Sequence, residues 1–236
     1  VYKELGIKDY RFELSLRDPE DKVKYYNDDA MWNHAEDTLR KVLDHIGIPY
    51  TEKIGEAAFY GPKLDVQVRP AVGNEYTLST CQLDFCLPMR FDLTYVDKDG
   101  SKKTPVVLHR AIFGSLDRFI AYYLEERKGL FPLWLSPVQV NIIPVNNEYH
   151  LSYAEDLLKQ LKELGIRAEL DDRDEKLGYK MRESVMKKKN YAVIIGNKEI
   201  ENNTVSYRKC GSEETTTVSI DEFKNMILEE IKTRKN

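Results

Sequence analysis

The sequence predicts an α+β domain built on an antiparallel sheet, followed by a smaller α/β domain with a mixed sheet. Three observations carry this. Between Tyr10 and Leu108, short period-two apolar runs are separated by turn residues, the pattern of strands with one buried face. From Gly129 to Pro137 the composition shifts to GLFPLWLSP, whose prolines and large aromatics describe a stiff, packed connector. Beyond it, strands alternate with helices, which implies parallel pairing. The expected division is residues 1–136 and 137–236.

In the first domain Tyr10–Leu16 reads as a strand. Asn27, Asp28 and Asp29 offer N-caps for a helix on which Trp32, Ala35, Leu39, Val42 and Ile46 recur at helical spacing, and Gly47 sits where it would end. Leu64, Val66 and Val68 alternate as in a strand. So does Tyr76–Leu87, with Tyr76, Thr80, Gln82 and Asp84 on one face and Thr77, Cys81, Leu83 and Phe85 on the other. Gln and Asp on one face of a central strand are unusual for a core, and a polar ligand-binding floor requires them. Arg90–Val96 and Lys102–Leu108 flank Asp97-Lys98-Asp99-Gly100, a hairpin signal. In the second domain the strands are Val138–Val145, Ile166–Leu170 and Tyr191–Gly196, and the helices between them about Glu148–Leu164 and Leu177–Lys188. Two further strands, near Thr204–Lys209 and Thr215–Val218, precede a last helix that opens on the capping-box pattern Ser219…Glu222.

The 236 residues are 42% hydrophobic and 32% charged, as in an ordinary globular protein. No apolar run approaches the ~20 residues that span a bilayer, and no signal-peptide pattern opens the chain, so no membrane partner is expected. Val1 in place of Met leads us to expect a chain cut from something longer. Cys81, Cys86 and Cys210 cannot all pair with one another, and reduced thiols in a cytoplasmic protein are the simplest account. A net charge of −4 argues against a general nucleic-acid coat. Between Lys176 and Lys189, however, six cations stand against one anion, Glu183, and that segment either meets a phosphate backbone or is a solvated helix face.

The stretch from Thr104 to Glu126 concentrates the chemistry. Val106, Val107 and Leu108 form an apolar strand that ends on His109 and runs into an amphipathic helix, whose expected buried stripe is Ile112, Leu116, Phe119, Ile120, Tyr123 and Leu124. Arg110, Gly114 and Arg118 would share another face of that helix. A missing side chain at Gly114 would let a ligand approach, and Arg118 would supply a planar cation suited to phosphate or a base. Taken alone, Gly114 is equally helix packing, Arg118 a solvated charge, and His109 a packing histidine.

His109-Arg110-Ala111, Gly114-Ser115 and Arg118-Phe119 together resemble motif 3 of class II aminoacyl-tRNA synthetases in its threonyl form. Ala58-Phe59-Tyr60-Gly61-Pro62-Lys63, Cys81-Gln82-Leu83-Asp84-Phe85 and the run Phe131 to Val140 resemble the same family in the same order. The resemblance implies the later half of a class II catalytic domain, then an anticodon-binding domain. It implies ATP with Mg2+, threonine and tRNA(Thr) as substrates, and a homodimeric parent enzyme. It also implies a Zn2+ that discriminates against valine, because a methyl group cannot ligate a metal. By the same resemblance His109 is a zinc ligand, Tyr60 and Gln82 face the amino acid, Lys63 faces the α-phosphate, and Arg118 packs on adenine. Gly114 and Ser115 would lie at the nucleotide. Asp84 positions its neighbours. Asp174, Lys176, Arg182, Glu199 and Arg208 fall on anticodon-reading positions, where Asp174 stands in place of an expected Asn; a carboxylate accepts hydrogen bonds but does not donate them.

Motifs 1 and 2, two further zinc ligands and an editing domain have no counterpart in the sequence. Cys81 and Cys86 read as core or strand residues, and His34, His45 and His150 as helix or loop histidines. The 236-residue chain alone is therefore expected to lack full aminoacylation. The alternatives are a non-catalytic RNA-binding module and a regulatory synthetase-like paralogue.

Overall fold

A computed structural model describes residues 1–236, which divide into two compact units: residues 7–126, and residues 127–236 together with 1–6. The chain opens with α1 (Tyr2–Leu5) in the second unit. The first unit comprises β1 (Tyr10–Leu16), α2 (Asp29–Ile46), β2 (Tyr50–Ile54), β3 (Lys63–Val68), β4 (Tyr76–Asp84), α3 (Cys86–Arg90), β5 (Tyr95–Val96), β6 (Lys102–Lys103), β7 (Val107–Ala111) and α4 (Leu116–Glu126). Its main sheet runs β2-β1-β3-β4-β7, antiparallel except for the β1/β2 pair.

The face of β1 that buries Leu14 and Leu16 packs against Leu43, Leu39 and Leu64. On α2 the expected Trp32 and Ala35 are buried, but at its end Leu43 is buried while Val42 and Ile46 are exposed. Asp28 caps the helix by accepting from Met31 N at 2.9 Å, and Gly47 ends it in the left-handed conformation. Buried Arg17 fastens β1 to α2. It bonds Asp29 and Asn33 Oδ1, the latter at 3.1 Å, and lies over the Trp32 ring. Glu36 accepts from Arg17 N, and burial raises its pKa.

The sequence reading needs correction in three further places. Strand β4 stops at Asp84, whose carboxylate turns the chain into α3, so Arg90–Val96 is not a strand and the hairpin ladder is only β5/β6. The strand carrying His109 continues to Ala111, and α4 begins only at Leu116. Arg110 and Gly114 are therefore not on a helix. The expected buried stripe is also rotated. Tyr122 and Tyr123 are the buried residues of α4, Phe119 stacks on Tyr123, and Leu116 at 66% exposure, Ile120 and Leu124 face outward. Edge-to-face packing of Tyr122 on Tyr76 sets that rotation.

The second unit continues with β8 (Val140–Pro144), α5 (Asn147–Glu163), β9 (Ala168–Leu170), α6 (Leu177–Met186), β10 (Tyr191–Ile195), α7 (Asn197–Asn202), β11 (Thr204–Lys209), β12 (Thr216–Ser219) and α8 (Ile220–Lys232). The sheet order is β12-β11-β10-β8-β9, with β8, β9 and β10 parallel and the other two antiparallel. Leu133, Val140, Ile142, Leu157, Val193 and Phe223 are among its buried core. The connector belongs to this unit rather than to the first: Leu133 is buried in its core, and Arg167 donates to Ser136 O and Trp134 O at 2.8 and 2.9 Å. Ser219 caps α8 by accepting from Glu222 N at 3.2 Å.

Beside β9, buried Asp171 takes two bonds of 2.7 Å from Arg173, which hold its carboxyl below the usual aspartate range. A depressed folded pKa contributes stability that is complete above the unfolded value of about 4 and lost as pH falls through the folded value. Asp171→Asn should therefore lower the Tm of this unit at pH 7, and the difference from wild type should vanish in acid below that window, read by circular dichroism.

Candidate active site and nucleic-acid surface

Ladder register lines up one row across four strands: Ser15 opposite Lys63, Lys63 opposite Gln82, and Gln82 opposite His109. The next row is Glu13, Asp65, Thr80 and Ala111. Alternation puts the polar members of both rows on the face opposite Leu14 and Leu64. This is the polar floor that the pattern on β4 predicts, with one correction. A β-bulge between Val66 and Gln67 shifts the register, so Thr77 joins the polar face, accepting from Gln67 Nε2 at 2.9 Å, while Tyr76 turns to Tyr122.

Lys63 is held down by Asp65, with Ser15 Oγ 3.4 Å from its ammonium and donating to the same carboxylate at 3.0 Å. Asp65 is buried, and its second oxygen has no partner. Buried Glu13 accepts from Gln67 at 3.2 Å and pairs with Arg11 at 2.8 Å. A cavity of about 250 Å3 opens over this floor, lined by Arg11, Glu13, Lys63, Asp65, Gln67 and Thr77 among others. Ser15, Asp65 and Glu13 were missed by sequence reasoning. The i, i+2 spacing of Glu13 and Ser15, and of Lys63 and Asp65, was the available signal.

Tyr60 donates its hydroxyl to Gln82 Oε1, and its ring centroid lies 5.5 Å from that of His109. Burial, and then the charge of Asp84, raise the Tyr60 pKa, which keeps the phenol a donor. Asp84 is fully buried and lies 2.8 Å from His109 Nε2. The loop that delivers Tyr60 and Lys63 sits tight on β4. Leu83 N donates to Pro62 O at 3.0 Å, and a Cβ on Gly61 would stand 1.9 Å from Leu83 O.

Tyr60, Lys63, Gln82, Asp84 and His109 thus come together, and Arg118 lies over Tyr76, a residue that lines the same cavity as Lys63 and Asp65. Arg118 is exposed, with its guanidinium carbon 5.8 Å from the centre of the Tyr76 ring. Gly114 serves the backbone: its φ is +60°, and a Cβ there would meet Leu78 O at 3.2 Å, so the close neighbour is the chain itself. Ser115 accepts from Arg118 N at 3.3 Å and so caps α4.

Residues 1–127 match the family described as tRNA synthetase class II core domain (G, H, P, S and T), and residues 139–230 match the anticodon binding domain. The chain belongs to the class II tRNA synthetase core family. This class II chain is 54% identical over all 236 residues to a threonine–tRNA ligase of Staphylococcus aureus and 55% to one of Staphylococcus epidermidis. It spans 37% of the length of each. Among solved structures it resembles the RNA binding domain of threonyl-tRNA synthetase from Cryptosporidium parvum Iowa II, with a TM-score of 0.86 and 31% identity over 97% of this chain and 56% of that one. A putative threonyl-tRNA synthetase from Aeropyrum pernix superposes with a TM-score of 0.77 at 26% identity, covering 99% of this chain and 58% of that one.

In the anticodon-binding unit of this class II chain, Arg182 and Arg208 line one cavity of about 400 Å3 with Gly178, Met181, Val185 and Ile194. Arg208 donates to Thr215 Oγ1 at 3.1 Å, and its buried Nε has no partner. Asp174 and Lys176 are exposed before α6, and Lys176 is its N-cap residue. Glu199 acts as a cap: it accepts from Gly196 N at 2.9 Å and from Ser206 Oγ at 2.6 Å. The basic run is weaker than its sequence suggests. Lys180 is buried on Asp171 O at 3.0 Å, and Lys189 pairs with Glu169.

No three His, Cys, Asp or Glu side chains gather anywhere in the chain to hold a metal. The donor set of these 236 residues does not fit zinc by itself. No helix is long and apolar enough to cross a membrane.

Because a carbonyl occupies the place of a Gly61 side chain, Gly61→Ala must displace the Tyr60–Lys63 loop. The expected cost is about 1–3 kcal/mol, read by denaturant unfolding, with loss of the Tyr60–Gln82 contact in a crystal structure of the variant.

Proposed function

We propose that this chain supplies the amino-acid-facing floor and the anticodon-reading unit of a threonine–tRNA ligase. The row Lys63–Gln82–His109, with Tyr60 bonded to Gln82, carries the reading. In the proposed reaction the threonine carboxylate attacks the α-phosphorus of Mg2+-bound ATP, forming threonyl-adenylate and releasing pyrophosphate. A terminal ribose hydroxyl of tRNA(Thr) then attacks the acyl carbon, and AMP leaves. The ammonium of Lys63 offsets negative charge that develops on the phosphoryl oxygens. Gln82 and the protonated phenol of Tyr60 orient the polar groups of the amino acid, and His109 faces them from the next strand. Arg118, exposed over Tyr76, offers a planar cation to the base of the nucleotide.

In the second unit, Arg182 and Arg208 bracket an apolar floor suited to an unpaired base, and the unsatisfied Nε of Arg208 calls for an acceptor such as a base oxygen or nitrogen. Asp174 and Lys176 stand exposed beside it as further contacts, while the capping bonds of Glu199 assign it to holding α7 in place. The proposed setting is the cytoplasm, in keeping with three unpaired cysteines.

Binding of tRNA(Thr) by this chain should weaken about tenfold in Arg182→Ala and in Arg208→Ala, within the ~1–3 kcal/mol of a specific base contact. A transcript with an altered anticodon should bind wild type and variants alike. Equal binding of both transcripts by wild type would sink the anticodon assignment. In an enzyme carrying the complete catalytic core around this sequence, Lys63→Ala should cut threonine-dependent ATP–pyrophosphate exchange by on the order of 10²–10³. Unchanged exchange alongside intact tRNA binding would favour the non-catalytic RNA-binding module.

A further inference from the structure

We propose that Asp84 is a positioning residue that holds His109 in its Nε2–H tautomer, so that the ring presents Nδ1 to the site as a bare lone pair. The consequence for ligands rests on His109 being a site residue; the tautomer itself does not.

Asp84 has no exposed surface, and each of its oxygens is committed. Oδ1 accepts from Cys86 N at 3.0 Å and from Leu87 N at 2.9 Å, which turns the chain out of β4 into α3. Oδ2 lies 2.8 Å from His109 Nε2. An ionised carboxylate only accepts hydrogen bonds, so the proton between them belongs to the ring. A neutral imidazole carries one N–H, and with that proton on Nε2 the other nitrogen is an acceptor. The opposite tautomer would set two lone pairs against each other at 2.8 Å in a buried position. Asp84 cannot relieve this by rotating, because two backbone N–H groups hold its other oxygen.

The outer part of the ring stays accessible. The His109 side chain is 43% exposed, and its neighbours in the site are Tyr60, at 5.5 Å between ring centroids, and Gln82, opposite it in the ladder. A neutral His109 so fixed receives a cation or an N–H or O–H donor, and it turns away a carboxylate or a phosphate oxygen. Asp84 therefore selects the chemical class of group that His109 binds, without touching it. Partners of this kind, which fix the orientation and tautomer of a ligand-binding histidine, are a general device of such sites.

The test reads the tautomer on the chain itself by long-range 1H–15N correlation of the His109 ring at a pH where it is neutral. Wild type should show a protonated, pyrrole-like Nε2 and a pyridine-like Nδ1. The Nε2–H form is also the commoner one for a free imidazole, so Asp84→Asn is the deciding variant. Its amide oxygen must keep the bonds from Cys86 and Leu87, so its –NH2 replaces Oδ2 and donates to Nε2. The ring should then switch to Nδ1–H while the fold is retained. An Asp84→Asn protein that keeps the Nε2–H form overturns the proposal, as does an Nδ1–H form in wild type. Should the variant not fold, the wild-type Nε2–H proton decides: slow exchange with solvent supports a bond to the buried carboxylate, and exchange as fast as a free imidazole overturns it. Neither threonine nor ATP enters the measurement, so its failure and failure of the ligase assignment are separate outcomes.

Discussion

Cross-strand register is the constraint on which the site depends. Ser15, Lys63, Gln82 and His109 come from four strands, β1, β3, β4 and β7, and nothing but ladder pairing puts them in line. A slip of one residue in any strand would send its polar members into the core and its leucines to the floor. The apolar face prevents the slip, because Leu14, Leu16 and Leu64 pack against Leu39 and Leu43 of α2 in only one register. The same sheet that buries its leucines below therefore positions its lysine, glutamine and histidine above. Burying Glu13, Asp65 and Asp84 on that floor is costly unless each is bonded, and each has at least one cationic, amide, hydroxyl, imidazole or backbone partner.

The second unit solves a different problem with parallel strands. Its loops at the ends of β8 and β10 are joined by His150, which accepts from Asn146 N at 3.0 Å through Nδ1 and meets Asn197 Oδ1 at 2.8 Å through Nε2. A histidine that reads as an incidental helix residue is thus a buried tie between the starts of α5 and α7. Glu199, two residues further along α7, makes a similar tie to Ser206 of β11. Beside the cavity that Arg182 and Arg208 line, the buried Nε of Arg208 is one of several polar atoms of this unit left without a partner, Ser184 Oγ on α6 among them.

Local signals were legible wherever one segment decides its own fate. The strand at Tyr10–Leu16, the helix closed by Gly47, and Ser219 capping α8 follow from side-chain alternation, the left-handed tolerance of glycine, and a hydroxyl within reach of a free N–H. The polar face of β4 was legible as Gln82 and Asp84. Less legible were features set by a neighbour. Tyr76 and Thr77 exchanged faces because a bulge within β4, where Leu78 is skipped in the pairing, adds a residue. Turn residues 112–115 interrupted the expected helix because Leu78 O packs against Gly114. Lys180 and Lys189 left the basic surface because Asp171 O and Glu169 lie within reach only in the folded unit.

Residue types and their spacing, on their own, determined the order of strands and helices, the two-domain character and the polar face of β4, because these rest on periodicity, while the candidates His109, Lys63 and Tyr60 came from the resemblance of linear motifs to a known family. Tertiary structure alone decided which candidates share a row, that Asp65 and Ser15 hold Lys63, that Asp84 faces Nε2 of His109, and that Arg118 lies over Tyr76. Those facts depend on pairing between residues as many as 50 positions apart, such as Ser15 and Asp65, and no local pattern carries a distance across strands.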